Sequence, residues 1–193
     1  KFRISAYSYG PPQNDEMRKR IVNAVDHFID VEKMADEDVA LLARRDNVDI
    51  AIHRNGHTKN ARPEIFSLRA APIQISYLGY PGTLGADCID YLIADKVIIP
   101  EDLTSAYSEK IIYLPNSYQP NNNKRKISEK QFSKTELGLP QSGFIFCCFN
   151  ASKKILPAEF DIWMKILKKV SGSVLWLYRS NKRAEANLKN EAI

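Results

Sequence analysis

Residues 62–90 of this chain, RPEIFSLRAAPIQISYLGYPGTLGADCID, constrain its fold more than any other stretch. Pro63 suits the first position of a short helix, where no backbone donor is needed. Ile73–Tyr77 is a β-rich run bounded by Pro72 and Gly79, which predicts a strand. Gly79, Gly82 and Gly85 follow at intervals of three, with Pro81 stiffening the turn between them. Glycines just past a strand end let backbone amides approach a ligand closely. The stretch therefore predicts helix, strand and a glycine turn that can serve as a site.

The rest of the chain places that strand in an α/β layer. Residues 2–9 are rich in aromatic and β-branched types and stop at Gly10-Pro11-Pro12, which predicts a first strand. Asn14 or Asp15 caps the next helix, whose Met17, Ile21, Ala24, Val25 and Phe28 recur at helical spacing and predict one buried face. A second helix is expected over 36–45, presenting Val39, Leu41 and Leu42, and a short strand over 48–52. Further strands are expected at 91–94 and 110–114, with a helix near 100–107 between them. The order β-α-α-β-α-β-β-α-β is that of a doubly wound α/β layer. Residues 115–126, PNSYQPNNNKRK, carry no hydrophobic period and form the clearest boundary. Beyond it we expect a short helix over 129–137 and a fully buried strand over 143–149, GFIFCCF. A loop follows, then an amphipathic helix opened by Pro157 with Phe160, Trp163, Met164 and Leu167 on one face. A strand over 173–178 and a tail helix from Arg183 complete a β-α-β unit, which requires a parallel, right-handed crossover.

Composition narrows the class. No apolar run approaches the roughly 20 residues of a membrane span, and no secretory leader is visible. The three cysteines, Cys88, Cys147 and Cys148, form no CxxC, so neither a disulfide frame nor a zinc site is indicated and a reduced, cytoplasmic setting is expected. They are expected to pack as small hydrophobes. Residues 1–120 hold 14 Lys/Arg against 17 Asp/Glu, a net −3, whereas residues 121–193 hold 14 against 6, a net +8. A basic half fits a nucleotide diphosphate, a nucleic acid, a membrane surface or simply a solvated face. The first residue is Lys1, falling directly into an apolar run, and a piece of a longer protein is expected.

Residue types alone leave the chemistry open. Asp36-Glu37-Asp38 matches the D-x-D of metal-dependent sugar transferases, but carboxylates in a first helical turn favour the dipole without any metal. Asn55 to Lys59 forms a loop at a strand's carboxyl end, where open α/β sheets bind ligands. Lys153 or Lys154, between a parallel strand and a helix, can reach a phosphate held by helix N-terminal amides and neutralise a diphosphate leaving group. His53 and His57 are candidate bases, with no carboxylate partner evident for either.

Seven segments, in order and with consistent spacing, then carry a resemblance: NGHTKNARPEIFSLRAAPIQISYLGYPGTLGADCIDYLIAD, YSEKIIYLP, SYQPN, ELGLP, FCCFN, PAEFDIWMKIL and GSVLWL. Together they resemble the catalytic region of the O-linked N-acetylglucosamine transferases of the bacterial SPINDLY type, glycosyltransferase family 41. The resemblance implies a GT-B fold with two Rossmann-like lobes facing a cleft. It implies transfer of N-acetylglucosamine from UDP-GlcNAc to Ser or Thr of a protein acceptor, inverting and without metal or cofactor. GDP-fucose is the alternative donor, since plant SPINDLY proteins resemble this branch too. By the same resemblance Lys154, counted from Phe149-Asn150, meets the donor diphosphate, and Asn150 belongs to the same donor-binding strand end. Lys59 lies near donor and acceptor, and Leu78-Gly79 form the turn against the donor sugar. Tetratricopeptide repeats are expected elsewhere in the full-length protein, and neither nucleic acid nor a membrane is expected as partner.

The chain also departs from the family pattern. His53-Arg54 replace a common Asp-Leu, Asn60 a frequent Gly, Ala71 a Pro, and Ala151-Ser152-Lys153 a polar-then-aromatic pattern. These departures motivate a second reading, a protein-binding module that kept the fold and lost the chemistry. A third, nucleic-acid binding through Lys124-Arg125-Lys126 and Lys165, Lys168 and Lys169, has no recognition motif behind it. Two complete lobes need roughly 150 residues each. The expected organisation is therefore 1–119 as part of the first lobe, 120–127 as linker and 128–193 as the opening β-α-β of the second, without turnover by the fragment alone.

Overall fold

The computed structural model describes every residue except Lys1, Pro12 and Ile193, so Pro12 of the Gly10-Pro11-Pro12 stop lies outside the described residues. The chain divides into two compact units, Lys1–Asn123 and Lys124–Ile193.

The first unit opens with β1 (Ser5–Ser8), α1 (Glu16–Val22) and β2 (His27–Asp30), the two strands pairing in parallel from Ser5 opposite His27 to Ser8 opposite Asp30. Asp15 caps α1, its carboxylate accepting from the Arg18 amide at 2.7 Å. The expected buried face on this helix is absent: α1 buries no residue, and Met17 and Ile21 are exposed. The helix ends at Val22, and Phe28 belongs to β2, a strand the periodicity concealed. Pairing with Ser5–Ser8 overrides the local helical spacing of Ala24, Val25 and Phe28, because each strand residue gains backbone partners that a helix extended into solvent would not bury.

Next come α2 (Asp36–Arg45), β3 (Ile50–His53), α3 (Glu64–Ser67), β4 (Ile73–Tyr77), β5 (Tyr91–Ala94), a 3-10 turn at Glu101–Ala106 where a helix was expected, and β6 (Lys110–Tyr113). Strands β3 to β6 form one sheet in sequence order, every neighbour parallel. Its strands therefore end on one side, and the loops that follow β3 and β4 emerge together. α2 contributes Val39, Ala40 and Ala43 to the core, where they join Val31, Ile65, Phe66, Ala70, Leu84 and Ile89. Leu41, expected on that face, is exposed. Leu84 and Ile89 come from the glycine-punctuated crossover between β4 and β5, so this loop is packed down as core rather than carried as surface.

The second unit pairs β7 (Ile145–Cys148) in parallel with β8 (Val174–Leu177). Between them run a 3-10 turn (Ser152–Lys154) and α4 (Pro157–Lys169), and α5 (Lys182–Glu191) follows. Pro157 opens α4 in its first turn, and the helix buries Phe160 with Trp163, Met164 and Leu167 half-buried beside it. Two expectations fail. No helix forms over 129–137. Ser133 and Glu136 make a reciprocal capping pair, the Ser133 amide donating to Glu136 at 2.7 Å and the Glu136 amide to the Ser133 hydroxyl at 3.2 Å, but Gly138 at φ +67 ends the turn at once. Nor is 143–149 fully buried: a two-stranded sheet is too narrow to cover both faces, so Phe144, Cys147 and Phe149 are exposed. The expectation that the cysteines pack as small hydrophobes therefore fails for Cys147.

Candidate functional site

Strands β3 and β4 run side by side with His53 opposite Ser76, so Arg54, just past β3, and Tyr77, the last residue of β4, come out together. The two loops are joined there by one bond: the Gly79 amide donates to the Arg54 carbonyl at 2.9 Å. The same amide lies 3.2 Å from the Tyr77 carbonyl, which closes a three-residue turn around Leu78 at φ +81. A γ-turn with positive φ at its centre is rare and strained for a branched side chain, and such strain concentrates at functional sites. Position 79 has no room for a side chain, since a Cβ there would run into the Arg54 carbonyl oxygen.

The β3 loop is locked from below and from the side. His53 is buried, 2% exposed, and its Nδ1 accepts the Gly56 amide at 3.2 Å. That bond puts the ring proton on Nε2, which has no partner among the described residues. Burial above all, with the neighbouring His57 second, holds the His53 imidazole below its ordinary protonation range. His53 is thus a structural imidazole set under the loop, not an exposed base. Gly56, buried at φ +55, lies against the Tyr80 ring, which a Cβ would strike.

His57, next along the loop, is exposed. Its Nε2 lies 3.2 Å from the Leu84 carbonyl and its ring meets Tyr80 edge-on at 5.6 Å. A carbonyl only accepts, so Nε2 carries the proton and the Nδ1 lone pair is left available. The orienting group is a backbone carbonyl contributed 27 residues later, which no local pattern reveals. Lys59 is exposed two residues further on, and its ammonium makes no ion pair among the described residues. Leu78, Gly79 and His57 thus share one neighbourhood in the first unit, and Lys59 follows His57 by two residues. The D-x-D carboxylate Asp36 is engaged elsewhere, with Arg62 at 2.5 Å. Among the described residues no three His, Cys, Asp or Glu side chains converge as a metal site.

In the second unit Asn150 and Lys154 follow β7, both exposed. Lys154 ends the 3-10 turn, its amide donating to the Ala151 carbonyl at 2.9 Å. The turn is pinned to the end of β8 by Ser152, whose amide and hydroxyl reach the Ser180 hydroxyl at 3.1 and 2.8 Å. This leaves Lys153 and Lys154 as free cations ahead of α4, without ion-pair partners among the described residues. Sequence reasoning overlooked the residues that brace the glycine turn from beneath, chiefly Glu109.

The chain matches the family described as Glycosyl transferase family 41 over residues 1–131 and 122–193. It is 40% identical over 181 residues to the "Probable UDP-N-acetylglucosamine--peptide N-acetylglucosaminyltransferase SEC" of Arabidopsis thaliana, covering 91% of this chain and 18% of that protein. To the "Probable UDP-N-acetylglucosamine--peptide N-acetylglucosaminyltransferase SPINDLY" of Eustoma exaltatum subsp. russellianum it is 32% identical over 181 residues, 90% of this chain and 19% of the relative. A solved mutant of the Thermobaculum terrenum O-GlcNAc transferase superposes with a TM-score of 0.82 at 26% identity, covering 98% of this chain and 36% of that one. The chain thus spans less than a fifth of the length of these curated relatives.

Proposed function

This chain belongs to glycosyltransferase family 41 and has an α/β fold of the GT-B type, and from that premise we propose that it serves as a segment of a protein O-glycosyltransferase that moves N-acetylglucosamine from UDP-GlcNAc to Ser or Thr of a protein acceptor. The observation that carries the reading is the strained Leu78 turn, bonded through Gly79 to the Arg54 carbonyl at the strand carboxyl ends. Strained backbone at non-glycine residues clusters at ligand-binding positions, and parallel sheets bind ligands at that end.

In the proposed reaction the acceptor hydroxyl attacks the anomeric carbon as the bond to the diphosphate breaks, with inversion. Leu78-Gly79 line the sugar, and Lys59 stands near donor and acceptor. Asn150 and Lys154 meet the donor, Lys154 neutralising the charge that develops on the departing diphosphate, a task a metal performs in other transferases. No metal or cofactor enters this scheme. The names of the matched relatives favour UDP-GlcNAc over the GDP-fucose alternative, and favour an enzyme over a protein-binding module without chemistry. A cytoplasmic setting is supported by three free cysteines. Among the described residues no helix is long and apolar enough to cross a membrane. Tetratricopeptide repeats elsewhere in the full-length protein rest on the family resemblance alone.

Calorimetry on the full-length protein tests the donor. Micromolar binding of UDP-GlcNAc with no heat from GDP-fucose is expected; preferential binding of GDP-fucose overturns the donor assignment.

A further inference from the structure

Glu109 is a carboxylate only 4% exposed, and it makes no ion pair among the described residues. A buried carboxylate without a cation is costly unless hydrogen bonds satisfy it. Two residues of the glycine turn do so: the Leu84 amide donates to Oε1 at 2.7 Å and the Thr83 hydroxyl to Oε2 at 2.7 Å. Thr83 Oγ1 in turn accepts the Gly85 amide at 3.0 Å and the Ser108 amide at 3.3 Å. Tyr107 adds a third tie, its hydroxyl donating to the Pro81 carbonyl at 3.2 Å. Residues 107–109, which lead into β6, therefore grip the turn at Pro81, Thr83 and Leu84, while Gly79 fastens its start to the β3 loop.

The grip continues into the site. The Leu84 amide is held by Glu109, and the Leu84 carbonyl accepts from His57 Nε2. Buried charge-assisted bonds of this kind fix backbone more firmly than neutral ones. We propose that Glu109 and Thr83 are positioning residues for donor-sugar recognition: they set the turn after Leu78-Gly79 and, through Leu84, the orientation of the His57 ring. This rests on the transferase reading above, and it assigns sugar discrimination to residues that do not touch the sugar.

The test compares UDP-GlcNAc with UDP in the full-length enzyme, because UDP lacks the group the turn faces. In Thr83→Val, which keeps shape and loses the hydroxyl, the KM for UDP-GlcNAc is expected to rise about tenfold, the scale of one lost charge-assisted hydrogen bond. The Kd for UDP is expected to stay within twofold, and Thr83→Ser is expected to restore the KM. Glu109→Gln, which retains one acceptor, is expected to fall between wild type and Thr83→Val; should it fail to fold, the Thr83 pair carries the test. A parallel loss of UDP and UDP-GlcNAc affinity, or unchanged KM in folded Thr83→Val, overturns the proposal. Failure of the wild-type enzyme to bind UDP-GlcNAc would instead sink the transferase reading itself, before any variant is measured.

Discussion

His53 and Gly79 show how single residues hold the site. The folded state keeps His53 neutral, because burial disfavours the imidazolium and because Nδ1 must stay unprotonated to accept the Gly56 amide. Its protonation is shifted below the ordinary value near 6.5, so the unfolded chain takes up a proton first as the pH falls. The stability it contributes is fully present above about pH 6.5 and is lost as the pH drops through the lowered folded-state value. Thermal melts should therefore show the gap between wild type and His53→Gln narrowing from pH 7 to pH 5; a gap independent of pH would contradict the buried neutral assignment. Gly79→Ala forces a methyl group onto the Arg54 carbonyl and should cost about 1–3 kcal/mol by urea unfolding, the scale of overpacking. Of this residue scale, the glycine turn was legible from spacing and residue type. The tautomer of His57 and the buried Glu109 were not, because each depends on a partner more than twenty residues away.

At the scale of elements, β4 was legible to the residue, since Pro72 and Gly79 punctuate a β-branched run. What fixes its neighbours was hidden in Gln74, which is fully buried inside that strand. Its Oε1 accepts the Ala70 amide at 2.9 Å, and its Nε2 donates to the Phe66 and Cys88 carbonyls at 2.8 and 2.6 Å, tying α3 and the crossover to the sheet. Gln74→Leu leaves both carbonyls a donor from Arg69, at 2.9 Å in each case, but strands the Ala70 amide. The predicted loss is accordingly about 1–3 kcal/mol, the cost of one buried unsatisfied donor rather than three. Chemical denaturation measures it, and a loss near zero would mean that the hub is dispensable. α1 and β2 were misread for the converse reason. Their apolar spacing is equally compatible with a helix, and only pairing with β1 decides between the two.

At the scale of the molecule, the division between Asn123 and Lys124 falls within a stretch, residues 119–138, that is exposed throughout and holds no helix or strand. Exposed backbone outside helices and strands is where proteases cut first. Limited trypsin digestion should cleave first within residues 124–130, leaving the first unit intact; first cleavage inside β3 to β6 would contradict the division. Residues 115–126 read as a boundary from composition alone, whereas burial in the second unit was overestimated because an apolar run does not reveal how many strands will flank it. The most direct test of the transferase assignment is the rate of N-acetylglucosamine transfer from UDP-GlcNAc to a peptide by the full-length protein and its Lys154→Ala variant. Transfer by the wild type is expected, with a loss of about 10²–10³-fold in the variant, the scale of removing one charge-stabilising group. Wild-type transfer by Lys154→Ala, or none by the unaltered protein, would contradict it.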